Sequence, residues 1–528
     1  MKVKGDVRSR NDAVFIMLLF IYSLLVATYF VLRYQGAWLE ADTRNFIALI
    51  LDLLESKSLT PSEGGYKFGF NYPVLSAFLV QITALPADTL LTIIRPFFLT
   101  IIGPVTFVLY RLFLSNGLVA AIAVFLLFLQ PEFLFVSLRG SHGIITWVLF
   151  VFSLFLLTMA STVFGKINRF GIYIGLFYLA AFGLIATNVF FSGTFFFCIL
   201  ISLLGGHVFN AVIKKDQQSS KGLKRLIYTL LSCSIITFIF VFYLYPPARQ
   251  SVTQLNRIMD QSAAFLLDYE IVTNPYTENI PSLWINPGVY FGLTLANWMT
   301  LSTSFVMWLY YAFVLLIKRE ELPAEKLFLW FFYAAFAIQI FVSIGLDFAG
   351  VLSSNLQLRL FPGFTMLAIP FTAEAILKVL RGTRQKFPHT RFFLILAILT
   401  IIVWFSGASL LKTTNEPLVS NKWTFSSNSE EIALEWMHLE IKNAIVWVSF
   451  DDRLLQLSEL LGYKYDNSFR FDLYELNDRT RYILLSELTQ LLAKRTRQKI
   501  PDVFGDHRIY DNGDTAIYQI RPRTPHER

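Results

Sequence analysis

A chain with about eleven apolar runs, each near the ~20 residues that a bilayer core requires, has few ways to fold outside a membrane. The runs are Ala13–Leu32, Leu91–Tyr110, Gly117–Ser137, Ile144–Ala160, Phe170–Ala186, Gly193–Val212, Leu226–Tyr243, Thr300–Ile317, Leu327–Leu346, Phe361–Val379 and Phe392–Ser409. Only 16% of residues are charged and mean hydropathy is +0.54; a soluble chain needs roughly 25% charged residues to cover its surface. The fold class this predicts is a polytopic α-helical membrane protein. The net charge of +8 does not indicate a nucleic-acid partner. Its basic residues sit in short loops between the runs, where the positive-inside bias accounts for them. Cys198 and Cys233 each lie inside an apolar run and read as small buried side chains.

Charge also sets the topology. Lys2, Lys4, Arg8 and Arg10 precede the first run, and no small-residue cleavage site ends it. It reads as a signal anchor with a cytoplasmic N-terminus. Tyr72 to Leu85 is a doubtful run of about fourteen residues, roughly 21 Å as a helix against a core near 30 Å. If it does not span, the loops holding Arg111, Lys166 to Arg169, Lys214 to Arg225, Lys318 to Lys326 and Arg381 to Arg391 all fall on the cytoplasmic side. If it does, all of them fall outside. Tyr72–Leu85 is therefore expected to be juxtamembrane or re-entrant. The C-terminus then lies outside the cytoplasm, on the side of a first outer loop (33–90) and a long outer loop (246–299).

From about residue 411 the composition becomes that of a soluble domain. Ser429–Met437, Arg453–Leu461 and Ser486–Lys494 read as helices, and Ala444–Phe450 and Tyr482–Leu485 as strands. His507 to Tyr518 reads as a hairpin turning at Asn512-Gly513. Residues 1–410 are thus expected to form a transmembrane domain and 411–528 a small extracytoplasmic α/β domain.

Ionisable groups collect on the predicted outer side, where they are costly unless paired or used. Asp42, just past the first span and beside Glu40, can act as a general base on a hydroxyl, or cap the amphipathic helix that follows it. Arg359, at the mouth of a late span, can bind a phosphate bidentately or snorkel to the interface. Lys67 and Arg139 carry the same pair of readings. His142 can donate a proton or bind phosphate, or serve structure alone. Asp268 and Glu270 in the long loop are further acids, and Tyr66 and Tyr72 further polar aromatics, in the same set of candidates. No HExxH, CxxC, GxSxG or phosphate-loop pattern is present.

The order of these features resembles the GT-C superfamily of integral-membrane glycosyltransferases, in particular protein O-mannosyltransferases and the lipid A aminoarabinose transferase. Carrying the likeness are Trp38-Leu39-Glu40-Ala41-Asp42-Thr43 after the first span, then Tyr72-Pro73-Val74-Leu75, then Arg359 to Pro362, and the soluble tail. The chain departs in three places: Val74 stands where a second proline is usual, Tyr72 replaces a basic residue, and the acid pair is spaced as Glu40–x–Asp42. The resemblance implies that Asp42 is the catalytic or metal-coordinating acid, with Glu40 beside it if Mg or Mn is used. It also implies that Lys67, Arg139 and Arg359 contact the phosphate of a lipid-linked sugar. The expected activity is inverting transfer of a sugar from a polyprenyl-phosphate donor to a hydroxyl of a glycan, lipid or protein acceptor, at the outer face of a cell membrane. A transporter or flippase for a lipid-linked substrate, or a non-catalytic assembly subunit with this layout, is the alternative.

Overall fold

In the computed structural model the described residues are 7–35, 41–58, 66, 68–114, 116–162, 167–209, 218–250, 253, 256, 260, 263, 287–318, 322–348, 356–386, 390–414, 416, 425–441, 445–447, 451, 453–454, 464–466, 481–500, 503 and 507–520. Backbone polar groups find no water in a bilayer core, so the apolar runs satisfy them internally as helices. Nine helices are long and apolar enough to cross a membrane, or ten if a bent pair counts as one span, among the described residues. The protein is a multi-pass membrane protein.

The helices are α1 (Val7–Tyr34), α2 (Ala41–Ser56), α3 (Asn71–Thr83), α4 (Ala87–Phe113), α5 (Gly117–Phe128), α6 (Pro131–Leu138), α7 (Gly143–Thr162), α8 (Ile167–Thr187), α9 (Val189–Phe209), α10 (Gln218–Ile239), α11 (Pro287–Leu316), α12 (Ala324–Phe348), α13 (Leu356–Lys386) and α14 (Thr390–Thr413). Nine of the eleven expected runs fall in the nine spans. Phe392–Ser409 is helical within α14 but is not among the nine or ten. Gly117–Ser137 is not one straight span. It breaks after Phe128, and α6 leaves α5 at 76°. The break falls at Leu129-Gln130 before Pro131, which supplies no N–H to continue the ladder.

α13 sits at the centre of the bundle: 72% of its apolar window is buried, against 22% for the span Ile227–Leu244, which takes in the second half of α10. It packs on α5, α11 and α12. α2 and α3 lie outside this core and share a smaller one, in which Phe46, Ile47 and Ile50 meet Tyr72, Leu90 and Leu91. At 13 residues, α3 is short of a span, as the charge pattern requires.

The C-terminal part contains a five-stranded mixed sheet of β1 (Ile445–Trp447), β2 (Lys464–Asp466), β3 (Arg481–Ser486), β4 (His507–Asp511) and β5 (Thr515–Ile520), in the order β2-β1-β3-β5-β4. The hairpin turns at Gly513, whose φ of 96° suits glycine. β2 was not anticipated, and of the expected helix Arg453–Leu461 only Arg453 and Leu454 are described. Helices α15 (Asn428–Glu440) and α16 (Glu487–Thr496) flank the sheet. Ser427 and Glu430 close a capping box at the start of α15. Under α15, Arg453 bonds both Asp451 and Glu430, all three almost wholly buried.

Candidate active site

A cavity of 1140 Å³ lies at the end of the bundle where α2, α6, α9 and α13 meet, and it brings Asp42, Arg139 and Arg359 together. Each reaches it for a local reason. Asp42 lies in the first turn of α2, which begins at Ala41, so it is inside the helix rather than its cap. The partial positive charge of that turn favours a carboxylate there. Its Oδ2 meets Arg139 Nη1 at 3.1 Å, and the Asp42 side chain stays 45% exposed. Arg139 follows the last turn of α6, and its guanidinium also stands over the Phe135 ring at 5.1 Å. Arg359 is set by the start of α13. There the Asp347 carboxylate accepts the backbone N–H groups of Leu356 (2.7 Å) and Gln357 (2.9 Å), fixing the first turn.

The loop from Arg139 to His142 is held from three sides. Gly140 N–H donates to Thr43 Oγ1 at 3.1 Å. Arg95, itself buried, donates Nη2–H to the Ser141 carbonyl at 3.3 Å. His142 Nδ1 lies 2.9 Å from Thr146 Oγ1, whose hydroxyl donates to the His142 carbonyl at 3.0 Å. That hydroxyl proton is committed, so the network assigns the proton between them to Nδ1. Nε2 is then the acceptor, and Tyr66 Oη–H donates to it at 2.7 Å. Asn188 caps α9 through the Phe191 N–H and points its amide at both Tyr66 and His142.

Burial, followed by the Arg139 charge, pushes the His142 imidazole pKa well down, so it stays neutral. Burial, followed by the Asp42 carboxylate, pushes the Tyr66 phenol up. Asp42, Arg139 and Arg359 all lie close enough to act electrostatically on that one hydroxyl.

Tyr72 does not line this cavity. It is 1% exposed, with its ring edge-on to Phe46 at 4.8 Å and Arg95 stacked over it at 5.3 Å, so it belongs to the α2–α3 core. Glu40, Lys67, Asp268 and Glu270 lie outside the described residues. The residues that sequence reasoning missed are Thr43, Arg95, Thr146, Asn188 and Glu132. Glu132 lines the cavity from α6 and was hidden inside an apparent span; Gln130-Pro131 beside it was the only signal. Among the described residues no three His, Cys, Asp or Glu side chains come together. The described donor set at Asp42 is one carboxylate engaged by a guanidinium. A hard divalent cation takes several oxygens, so this set does not fit one.

The rest of the wall is mostly apolar. Phe197, Phe238 and Leu358 line the cavity and are nonetheless 39%, 53% and 59% exposed. Apolar side chains exposed in this way suit a lipid-facing surface in a membrane protein.

No family model matches the chain, and no curated protein matches its sequence. Solved structures do match. The oligosaccharyltransferase of Archaeoglobus fulgidus, in a complex with Zn and sulfate, aligns with a TM-score of 0.57 at 14% identity, over 95% of this chain and 72% of that one. The same organism's AglB, in complex with an inhibitory peptide and a dolichol-phosphate, aligns at 0.53 and 12%, over 96% and 74%. ArnT from Cupriavidus metallidurans, bound to undecaprenyl phosphate, aligns at 0.50 and 12%, over 96% and 97%. These are GT-C membrane glycosyltransferases, and the chain has the fold of the GT-C superfamily.

Proposed function

We propose that the chain is a glycosyltransferase that moves a sugar from a polyprenyl-phosphate donor to an acceptor hydroxyl at the extracytoplasmic face of the membrane. The observation that carries this reading is the meeting of Asp42, Arg139 and Arg359, from three distant parts of the chain, in one cavity whose other wall carries the exposed apolar side chains of Phe197, Phe238 and Leu358. Solved neighbours in complex with dolichol-phosphate or undecaprenyl phosphate support a lipid-phosphate donor. The basic loops between spans support the assigned sidedness.

In the proposed reaction the donor's chain lies along Phe197, Phe238 and Leu358, and its phosphate rests against Arg359 and Arg139. Asp42 takes the proton of the acceptor hydroxyl, whose oxygen attacks the anomeric carbon from the face opposite the phosphate and inverts it. The bond to the phosphate oxygen breaks, and the lipid phosphate departs with the negative charge. Fixed guanidinium groups stabilise that charge as it develops. Arg139 positions Asp42 through their ion pair, so it serves both base and leaving group. Lys67 belongs to the same proposal as a further phosphate ligand, and Glu40 as a neighbour that tunes Asp42. No step is routed through a metal.

The test is a membrane assay with a panel of undecaprenyl-phosphate sugars, reading release of undecaprenyl phosphate. Asp42→Asn keeps the shape and a hydrogen bond to Arg139 and loses the base. We expect turnover to fall about 10²–10⁴-fold, the usual scale for a positioned acid or base. Near-normal turnover in this variant overturns the assignment of Asp42. Lipid movement across the bilayer without phosphate release favours the transporter instead.

A further inference from the structure

The cavity has a second polar end that the proposed reaction does not use. On α6, Glu132, Phe135 and Val136, and then Arg139, all line the cavity. Spacings of three and four residues place them on one helical face. Glu132 is seven residues before Arg139, about 10 Å along the axis at ~1.5 Å per residue. The end of α14 closes over this point: Thr413 Oγ1–H donates to the Pro131 carbonyl at 3.3 Å. Lys412 lines the same cavity, and its charge acts on Glu132.

Glu132 has the chemistry of an unfilled site. Its side chain is only partly exposed, and Oε2 is shielded from solvent with no hydrogen-bond partner among the described residues. The carboxyl group is bonded by its own backbone N–H, as a first-turn carboxylate can be, but its other oxygen is dry and unbonded, which is costly. Glu132 lines the cavity, so a turn of its side chain would present that oxygen to a donor held there.

We propose that Glu132, with Lys412 beside it, forms a subsite that takes the hydroxyl groups of a neutral sugar residue about 10 Å from the Asp42–Arg139 pair, beyond the sugar being transferred. The carboxylate accepts hydroxyl protons, and the Lys412 ammonium donates to hydroxyl oxygens. Two sources fit this chemistry: the second sugar of a donor glycan, or a glycan acceptor. The inference rests on the proposed transferase reading.

The experiment uses the full chain in lipid nanodiscs, free of maltoside detergent, which would itself compete for such a site. Native mass spectrometry would follow binding of undecaprenyl phosphate and, separately, of maltose, cellobiose and lactose. In wild type we expect both kinds of probe to bind. Glu132→Ala should weaken disaccharide binding at least tenfold and leave undecaprenyl phosphate unchanged. Glu132→Gln, which keeps an acceptor oxygen, should retain most of the disaccharide binding. Turnover assays with undecaprenyl-phosphate monosaccharide and disaccharide then assign the source. A KM effect confined to the disaccharide donor identifies the donor glycan, and one confined to a glycan acceptor identifies the acceptor.

Equal disaccharide binding by wild type and Glu132→Ala overturns the subsite. A loss in Glu132→Gln as large as in Glu132→Ala overturns the neutral-sugar class. Wild type that binds undecaprenyl phosphate but no disaccharide overturns the subsite and leaves the transferase reading standing. Wild type that binds neither probe overturns that reading, and the subsite with it.

Discussion

Thr43 and Gly140 hold each other one residue on from the Asp42–Arg139 pair: the Gly140 N–H reaches Thr43 Oγ1 at 3.1 Å, so two consecutive residues of α2 grip two consecutive residues after α6. The grip is tight. A Cβ on Gly140 would stand 2.6 Å from Thr43 Cγ2 and 2.9 Å from the Leu91 carbonyl oxygen. The Leu91 contact is backbone, so it cannot step aside as a side chain does.

Gly140→Ala is therefore expected to prise α2 from the loop. Overpacking of this kind costs about 1–3 kcal/mol, which leaves the protein folded. A displacement of about 1 Å between Asp42 and the reacting atoms costs on the order of 10² in rate. Turnover should fall by that order while the variant still purifies as wild type does. Wild-type turnover in Gly140→Ala would show that the latch does not set the geometry of Asp42.

His142 makes a prediction about pH. Its folded-state pKa lies below the unfolded value of ~6.5. Below pH ~6.5 the unfolded chain binds a proton that the folded one refuses, at up to ~1.4 kcal/mol per pH unit. Stability is thus full above pH ~6.5 and lost as the pH falls toward the folded pKa. Burial is the main cause that holds the imidazole neutral, followed by Arg139, Arg95 and Arg359, with Asp42 opposing them. Between pH 7 and 5 the melting temperature of wild type should drop more steeply than that of His142→Gln. Parallel curves would mean that His142 titrates in the folded protein.

The Arg453 cluster makes a prediction about the C-terminal part. Arg453 bonds Asp451 at 2.7 Å and Glu430 at 3.2 Å, and Ser486 also donates to Glu430. Arg453→Met would leave two almost fully buried carboxylates without their cation, a change worth about 3–5 kcal/mol. Limited proteolysis should cut this part first in the variant, with undecaprenyl phosphate binding at the cavity retained. Protease resistance equal to wild type would count against the cluster as a structural keystone.

The sequence made the spans legible because apolar length is a direct physical requirement, and the charge pattern removed Tyr72–Leu85 from the count. α6 was illegible for the same reason. An apolar run that bends at Gln130-Pro131 has the hydropathy of one that does not, so Glu132 looked like a stray charge in a span. Asp42, Arg139 and Arg359 were legible as lone charges at span ends, but their convergence was not, because it depends on how α2, α6 and α13 pack. Tyr72 misled because a tyrosine beside a proline reads alike whether its hydroxyl faces a cavity or its ring fills a core. Thr43, Thr146 and Asn188 gave no signal, since each acts through side-chain hydrogen bonds whose partners only the fold brings into place.

The break between α5 and α6 carries a consequence for how such a site can change. Glu132, Phe135 and Arg139 sit on one rigid piece that spans eight residues from Pro131 to Leu138 and its immediate end. Adding or deleting one residue between Glu132 and Arg139 would rotate one end against the other by about 100°. Arg139 would then turn away from Asp42, or Glu132 from the cavity. The spacing between the two ends of the site thus works as a fixed ruler: side chains along it can be exchanged, but its length cannot.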